Sequence, residues 1–252
     1  MTSPHPRRVV AVSPHLDDVA FSCGGVLGML RRAGWDVRVV TVFTATVAPL
    51  SAFALACQLD KDLGADVDYM ALRRGEDAEA MRCLGVVDSR YLDLPEAPHR
   101  GYGSAPELFA GRRPGDDLGA AVGEALATHL AGADLVLGPQ GLGGHVDHLV
   151  VRDALASLDL PLLGYRDTPY AIRLTVTGSG PDEIAVDVAE ALDDKLAACA
   201  AYASQLGFQF GGPDAMGQAL REFAAAEAQR CGCAGAAEVL AGDDDAQARL
   251  AR

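Results

Sequence analysis

The stretch RVVAVSPHLDDVAFSCGG, residues 8–25, decides how the rest of the chain is organised. It begins with a run rich in β-branched residues, which predicts a buried strand. The strand ends at Pro14, because proline has no backbone N–H to continue a ladder. His15, Asp17 and Asp18 follow at once, and a glycine-rich turn then leads into a helical pattern. Ligands bind at the carboxyl ends of strands in open parallel sheets, so this stretch is a candidate site.

A second polar group, made of His145, Asp147 and His148, opens a later helical pattern just after another predicted strand. His145 and His148 are three positions apart in the first turn, so they can share one helix face. If the two strands lie side by side in one sheet, His15, Asp18 and His148 come together. Two imidazoles and one carboxylate are a ligand set suited to Zn²⁺ or Fe²⁺, with positions left open for water.

Asp17 is then a carboxylate beside the metal that need not bind it, so it can take a proton from bound water. Each polar group also has an ordinary structural explanation. Adjacent aspartates favour a helix N-terminus, and a histidine pair at a helix start is often a solvated cap. We favour the metal interpretation because four such residues at two strand ends would be an unusual coincidence in a chain with six histidines.

Composition limits the class of protein. The chain has 252 residues, half of them hydrophobic, which is ample for a core. A net charge of −14 argues against a nucleic-acid partner. No apolar run approaches the roughly 18 residues of a transmembrane helix, and no signal peptide precedes the first predicted strand, so we expect no membrane association. The six cysteines are scattered and form no CxxC pair, which fits a reducing cytoplasm.

Strand and helix patterns alternate along the chain, which predicts an α/β fold. We expect a Rossmann-like three-layer arrangement with a mainly parallel sheet and helices on both faces. Residues 8–13, 37–43 and 135–137 should form neighbouring or near-neighbouring strands. We expect a single α/β domain over residues 1–242 and a frayed tail over residues 243–252.

Two further segments carry specific expectations. Prolines and glycines are so closely spaced in residues 95–117 that no regular element is predicted. A loop longer than about 15 residues in a compact domain is usually a functional lid or disordered, and we favour a lid. Residues 187–206 predict one long helix, in which Asp187 is the cap and Glu190 completes a capping box.

These motifs resemble those of the PIG-L/LmbE-like deacetylases, zinc-dependent enzymes that remove an acetyl group from N-acetylglucosamine-type amides. The family's (A/P)HPDD motif is similar to PHLDD at residues 14–18, and its HPDH motif to HVDH at residues 145–148. Residues 73–85 fit the family's RxxExxxAxxxLG pattern, and YRDTPYA at residues 165–171 is similar to YEDxPYA. The order and spacing of the motifs make the resemblance specific over roughly residues 8–206.

Both motif prolines are replaced here, by Leu16 and Val146. No ligand is lost by these changes, so activity should be retained. The backbone should be less rigid, and the substrate preference can differ.

The resemblance implies that His15, Asp18 and His148 are zinc ligands and that Asp17 is the general base. It implies that His145 polarises the amide carbonyl and the oxyanion that forms from it.

Other residues would recognise the substrate. By the same resemblance, Arg73 would contact the sugar or its substituent. We expect the 95–117 loop, Arg73 and the segment around Tyr170 to recognise the rest of the substrate, because loops vary most. We place Asp147 behind the ligands, where it would orient a histidine, although a charge at a helix start is an equally simple explanation. The implied partner is a small amino-sugar conjugate or a similar acyl amide, and a homo-oligomer is compatible with the sequence.

Two other functions stay open at this point. One is a metal-dependent amidase that acts on a non-sugar acyl amide in small-molecule biosynthesis. The other is a non-catalytic Rossmann-like protein that binds a sugar or nucleotide phosphate with its glycine-rich turns. Asp17 argues against the second, because a binding-only site has no need of an unpaired base beside a metal.

Overall fold

The computed structural model describes residues 5–174, 180 and 182–251. The strands are β1 Arg8–Ser13, β2 Asp36–Thr41, β3 Asp88–Tyr91, β4 Leu135–Pro139, β5 Leu162–Tyr165, β6 Glu183–Asp187 and β7 Ala237–Ala241. The helices are α1 Asp18–Arg32, α2 Ala52–Leu59, α3 Tyr69–Leu84, α4 Leu118–Leu130, α5 Val146–Ala156, α6 Tyr170–Arg173, α7 Leu192–Ala200, α8 Ala203–Phe210, α9 Pro213–Arg230 and α10 Asp244–Leu250. Short 3₁₀ turns occur at Ala97–His99, Pro106–Phe109, Leu142–Gly144 and Ala189–Ala191.

The strands form one sheet in the order β3-β2-β1-β4-β5-β7-β6. Strands β1 to β5 pair in parallel, and β7 pairs antiparallel with both β5 and β6. The predicted neighbours β2, β1 and β4 are therefore confirmed, as is the mainly parallel α/β architecture. Chain order reverses between β1 and β4, and in such sheets a cleft opens beyond the strand ends at that point.

Helices cover both faces of the sheet, and the side chains of β1 and β4 alternate between two apolar cores. In β1, Val9 and Ala11 belong to one apolar core, whereas Val10 and Val12 belong to the other. Helices α1, α3, α7 and α9 pack on the first face, and α4 and α5 pack on the second. Burial on both faces explains why the sequence of β1 is a continuous apolar run. No described helix is both long and apolar enough to cross a bilayer.

Helix α1 contains a bend that a buried carboxylate stabilises. Cys23 has non-helical torsions, φ −138° and ψ 21°. The N–H groups of Gly25 and Val26 beyond the bend donate to the Glu238 carboxylate of β7, at 3.1 and 2.7 Å. Lys195 of α7 neutralises Glu238 at 2.6 Å. A Cβ on Gly25 would lie 3.0 Å from Glu238 Oε1, so glycine makes this close approach feasible.

The single long helix predicted for residues 187–206 is wrong. The chain forms a 3₁₀ turn, then α7 and α8, with a break at Ala201 and Tyr202. The ring of Tyr202 is fully buried, and its hydroxyl donates to Asp77 Oδ1 at 2.7 Å. This tertiary contact outweighs helix propensity. Asp187 ends β6 instead, where its Oδ1 accepts from the Ala189 N–H at 3.0 Å.

The frayed tail predicted for residues 243–252 is also wrong, because α10 occupies most of it. Asp243 is the N-cap, and its side chain accepts from the Ala246 N–H at 2.9 Å. Ala246 is fully buried in the core. The acidic run that suggested a solvated tail is therefore a helix start. Helix α10 follows β7, a strand that was not predicted from the sequence.

Candidate active site

The two sequence motifs meet where β1 and β4 end side by side. His15, Asp17 and Asp18 follow β1, and His145 and His148 follow β4. The ring centroids of His15 and His148 are 5.3 Å apart. The residues predicted to form one site therefore do lie together.

Three ligand atoms point to a common position. Asp18 Oδ2 lies 3.3 Å from His15 Nδ1 and 3.3 Å from His148 Nε2. Two atoms bonded about 2.1 Å from a tetrahedral ion stand roughly 3.4 Å apart, so this spacing fits a metal ion. His148 Nε2 is buried and has no hydrogen-bond partner among the described residues. A metal ion would satisfy this orphaned atom.

A carboxylate holds the other nitrogen of each of these two histidines. His15 Nε2 lies 2.9 Å from Asp147 Oδ2, and His148 Nδ1 lies 2.6 Å from Asp167 Oδ1. Metal-binding histidines generally have such a partner, which fixes the ring and its tautomer. Asp167 was not singled out from the sequence, although it is the acidic residue of the YRDTPYA stretch.

The charges in this cluster favour a bound cation. Burial alone would lower the pKa of His148, but Asp18 and Asp167 raise that pKa to about 9. Burial also opposes the charged form of His15, yet Asp147 and Asp18 raise its pKa well above the usual range. Burial would raise the pKa of Asp18, but the two imidazoles hold it well below its usual range. Protons and metal ions therefore compete for these ligands.

A second set of atoms, from His15, His145 and Asp147, is also close enough to hold an ion. The Asp147 carboxylate is already occupied, because it accepts from the Ala97 N–H at 3.1 Å and from Arg100 Nη1 at 2.6 Å, besides its contact with His15. This set has no unsatisfied ligand comparable to that of the first. The first set is the better candidate metal centre.

Arg100 connects residues 95–117 to the candidate metal centre. Besides Asp147, its guanidinium contacts both oxygens of Asp116, at 3.2 and 2.9 Å, and Tyr102 donates to Asp116 at 2.8 Å. This part of the loop is anchored by ion pairs that the sequence did not predict. Phe109, farther along, lines a cavity beside the site. Closure of the loop as a lid stays a prediction.

Asp17 stands apart from the ligand atoms in an unusual conformation. Its φ of 152° is rare for any residue but glycine, and such strain is concentrated at functional sites. Gln209 Nε2 donates to its Oδ2 at 3.0 Å, and Arg73 Nη2 lies 3.4 Å from its Oδ1. Burial raises the pKa of Asp17 to about 7, although Arg73 opposes the shift. Such a carboxyl group can exchange a proton near neutral pH.

His145 is prepared to donate a hydrogen bond. Its Nδ1 accepts from the Asp147 N–H at 3.2 Å, which leaves the proton on Nε2. Burial, followed by the charge of His15, lowers the pKa of His145 to about 3, so the ring is neutral. Tyr170 packs nearby, with ring centroids 6.4 Å apart. A Cβ on Gly143, which has φ +82°, would lie 2.7 Å from Tyr170 Cγ, so glycine is required there.

Arg73 and Tyr170, the predicted substrate contacts, both line the cavity that contains Asp17. Arg73 is 5% exposed, and its guanidinium donates to Glu96 Oε1 at 2.7 Å and to the Leu16 carbonyl at 3.1 Å. It therefore supports the loop that carries Asp17. Contact of either side chain with a substrate stays a prediction.

Comparison with known proteins agrees with this geometry. Residues 10–158 match the family described as "PIG-L: GlcNAc-PI de-N-acetylase". The chain belongs to the PIG-L family. It is 41% identical over 170 residues to 2'-N-acetylparomamine deacetylase of Streptomyces fradiae, an alignment that covers 65% of this chain. The chain spans 58% of that relative's length.

Two solved structures of deacetylases share the fold over nearly the full chain. The A40926 pseudoaglycone deacetylase Dbv21 has a TM-score of 0.77 and 30% identity, covering 93% of this chain and 96% of that one. The zinc-inhibited form of teicoplanin deacetylase Orf2 has a TM-score of 0.79 and 26% identity, covering 94% and 99%. These PIG-L-like structures agree with the α/β architecture found here.

Proposed function

We propose that this PIG-L family member is a metal-dependent hydrolase that removes the acetyl group of an N-acetyl amino sugar and releases acetate and a free amine. The observation that carries the proposal is the placement of Asp17, a base held away from the ligand atoms, beside the cluster of His15, Asp18 and His148. The choice of an acetyl group rests on similarity to relatives named as deacetylases of acetylated amino-sugar compounds.

Zinc is the ion we propose, with Fe²⁺ as the alternative, because two imidazoles and one carboxylate suit both. A divalent ion held by His15, Asp18 and His148 would act as a Lewis acid toward the acyl oxygen and would lower the pKa of water. The teicoplanin deacetylase Orf2 has a zinc-inhibited form. Metal should therefore be added stoichiometrically rather than in excess when this protein is tested.

The side chains of this protein supply the proton transfers. Asp17 takes a proton from the water that attacks the acetyl carbon, while Gln209 and Arg73 hold its two oxygens. His145 donates its Nε2–H to the carbonyl oxygen as negative charge develops there. When the C–N bond breaks, Asp17 returns the proton to the departing nitrogen. One carboxyl group thus serves both steps, and its raised pKa suits it to both.

We also propose that the reaction takes place in a reducing compartment, the cytoplasm. Cys23 and Cys199 are buried as thiols rather than joined in a disulfide, and disulfides are rare in reducing compartments. The partner is a small acetylated amino-sugar compound.

Acetate release tests the proposed function directly. Protein loaded with one equivalent of Zn²⁺ or Fe²⁺ would be incubated with N-acetylglucosamine, its glycosides and N-acetyl amino acids. We expect acetate from the sugars and none after chelation. Release only from the N-acetyl amino acids would indicate the non-sugar amidase. No release from any amide with either metal would contradict deacetylation.

A further inference from the structure

A second cavity, of about 380 Å³, adjoins the candidate active site. It shares lining residues with the cavity around Asp17, among them Lys61, His145 and Phe208. A ligand can therefore extend from one cavity into the other past His145. Small-molecule sites generally have volumes of about 300–1,000 Å³, so this space suits a substantial group. We call it the outer cavity.

Aromatic rings form much of the wall of the outer cavity. Among the described residues, the only exposed aromatic side chains of large apolar type are Phe109, at 46%, and Phe208, at 64%. Both line this cavity, although Phe109 lies within the 95–117 loop and Phe208 lies in α8. The Phe109 ring meets His145 edge-on, with centroids 5.3 Å apart. Exposed apolar surface next to a reacting group indicates a ligand contact.

Lys61 places an amine against the aromatic wall. The chain has only two lysines, and the other, Lys195, is ion-paired in the core. Lys61 Nζ lies 5.0 Å from the Phe208 ring centroid and 5.4 Å from that of Tyr69. It donates to the Cys57 carbonyl at 2.8 Å. Within the described part of the chain, no carboxylate lies within the 4.0 Å of an ion pair with this amine.

The charge around the outer cavity favours a single negative group. Lys61 is the only lysine or arginine among the described residues that line it, and the one carboxylate there, Asp60, is exposed to solvent, where its charge is screened. Burial and the charge of Arg73 lower the pKa of Lys61, so an approaching anion would stabilise its charged form. A polycationic group would meet a like charge, and a doubly charged phosphate would find only one ammonium. A carboxylate matches one ammonium in charge.

We propose that the amino sugar of the substrate carries an aryl aglycone with a carboxylate, bound with its ring against Phe109 and Phe208 and its carboxylate on Lys61. This inference rests on the proposed function for the reaction but adds the class of the substrate's second half.

The contact of Lys61 with the Cys57 carbonyl also caps the end of α2, so a purely structural role must be separated from recognition. Lys61→Gln can still donate to that carbonyl but has no charge. Lys61→Arg keeps both the donor and the charge. Recognition of an anion requires the charge, whereas capping requires only the donor.

The test compares three N-acetylglucosaminides, the 4-carboxyphenyl, 4-methylphenyl and 4-(aminomethyl)phenyl glycosides, each in both anomeric forms. KM and kcat for acetate release are measured, and dissociation constants are measured by calorimetry on metal-loaded Asp17→Asn. We expect the carboxyphenyl glycoside to have the lowest KM and dissociation constant. Lys61→Gln should weaken its binding about tenfold and Lys61→Arg much less. Phe208→Ala should weaken the binding of all three glycosides.

Arg90→Gln is the matched control, because Arg90 is an exposed cation on β3 that lines neither cavity. It changes the net charge by the same amount and should leave the order of affinities unchanged. Equal affinity for the three glycosides, tightest binding of the aminomethyl compound, or an anion preference that survives in Lys61→Gln would overturn the inference. Acetate release without a preference refutes only the aglycone inference. A binding preference without acetate release refutes only deacetylation.

Discussion

Arg100 and Asp147 form a buried ion pair of 2.6 Å, and the other oxygen of Asp147 lies 2.9 Å from His15 Nε2. A residue of the 95–117 loop therefore helps to orient a candidate metal ligand that follows β1. Support of this kind fixes the ring of a ligand before the metal arrives, so that less ordering is required on binding.

The first prediction concerns this support. Arg100→Gln should weaken metal binding by about 10–100-fold, because Asp147 would lose its charged partner and would orient His15 less well. Competition against a chelator of known affinity measures the change. Arg112→Gln is the matched control, because Arg112 is exposed and its one hydrogen bond to the described residues is with the Asp116 carbonyl in the same loop. Equal metal affinity in the two variants would contradict a positioning role for Arg100.

The second prediction concerns the pH profile. Burial raises the pKa of Asp17 to about 7, and the hydrogen bond from Gln209 lowers it. The base must be deprotonated, so kcat/KM should rise with pH through the pKa of Asp17. Gln209→Leu removes a donor to the charged form, and the rising limb should move about one unit to higher pH. Gln205→Leu, which changes a cavity residue without a contact to Asp17, should not move it.

The local motifs were predictable, but their long-range partners were not. The β-branched run before His15 and the helix start at His148 are local patterns, and the parallel order of their strands follows from strand and helix alternation. Gln209 and Arg100 reach the site from distant segments. Their neighbours in sequence carry no signal of that approach, because the contact exists only after the sheet and α8 have packed.

Strand β7 was missed for a related reason. Residues 237–241, AEVLA, are short and contain Glu238, which is disfavoured in strands. Only the folded structure shows that its carboxylate meets Lys195 and the N–H groups at the bend of α1. The same holds for residues 187–206, where a contact made by Tyr202 in the core breaks the predicted helix.

The third prediction concerns stability. Lys195→Met should lower the free energy of unfolding by about 3–5 kcal/mol, because it leaves the buried Glu238 carboxylate without its cation. Denaturant unfolding of the metal-free protein measures this change. Asp194→Ala is the control, because it breaks an exposed ion pair in which the Arg32 and Asp194 side chains are 33% and 39% exposed. It should lower the free energy of unfolding by less than about 1 kcal/mol. Similar losses of unfolding free energy in both variants would show that the buried Lys195–Glu238 pair stabilises the protein no more than the exposed pair does.

The fourth prediction separates Asp18 from Asp17. Asp18→Asn should lose metal and activity together, because a neutral amide is a poor ligand and Asp18 Oδ2 lies 3.3 Å from a ring nitrogen of both His15 and His148. Asp17→Asn should keep the metal, since Asp17 contacts Gln209 and Arg73 instead. Asparagine has nearly the same size and shape as aspartate, so the packing at position 17 should be preserved.

Parallel measurement of bound metal and acetate release in Asp17→Asn tests the central claim most directly. We expect close to one divalent ion per chain and a fall in kcat of about 10²–10⁴, with a much smaller change in KM, because the base acts in the transition state. Loss of the metal from Asp17→Asn, or full turnover in a variant that retains the metal, would contradict the assignment of Asp17 as the base.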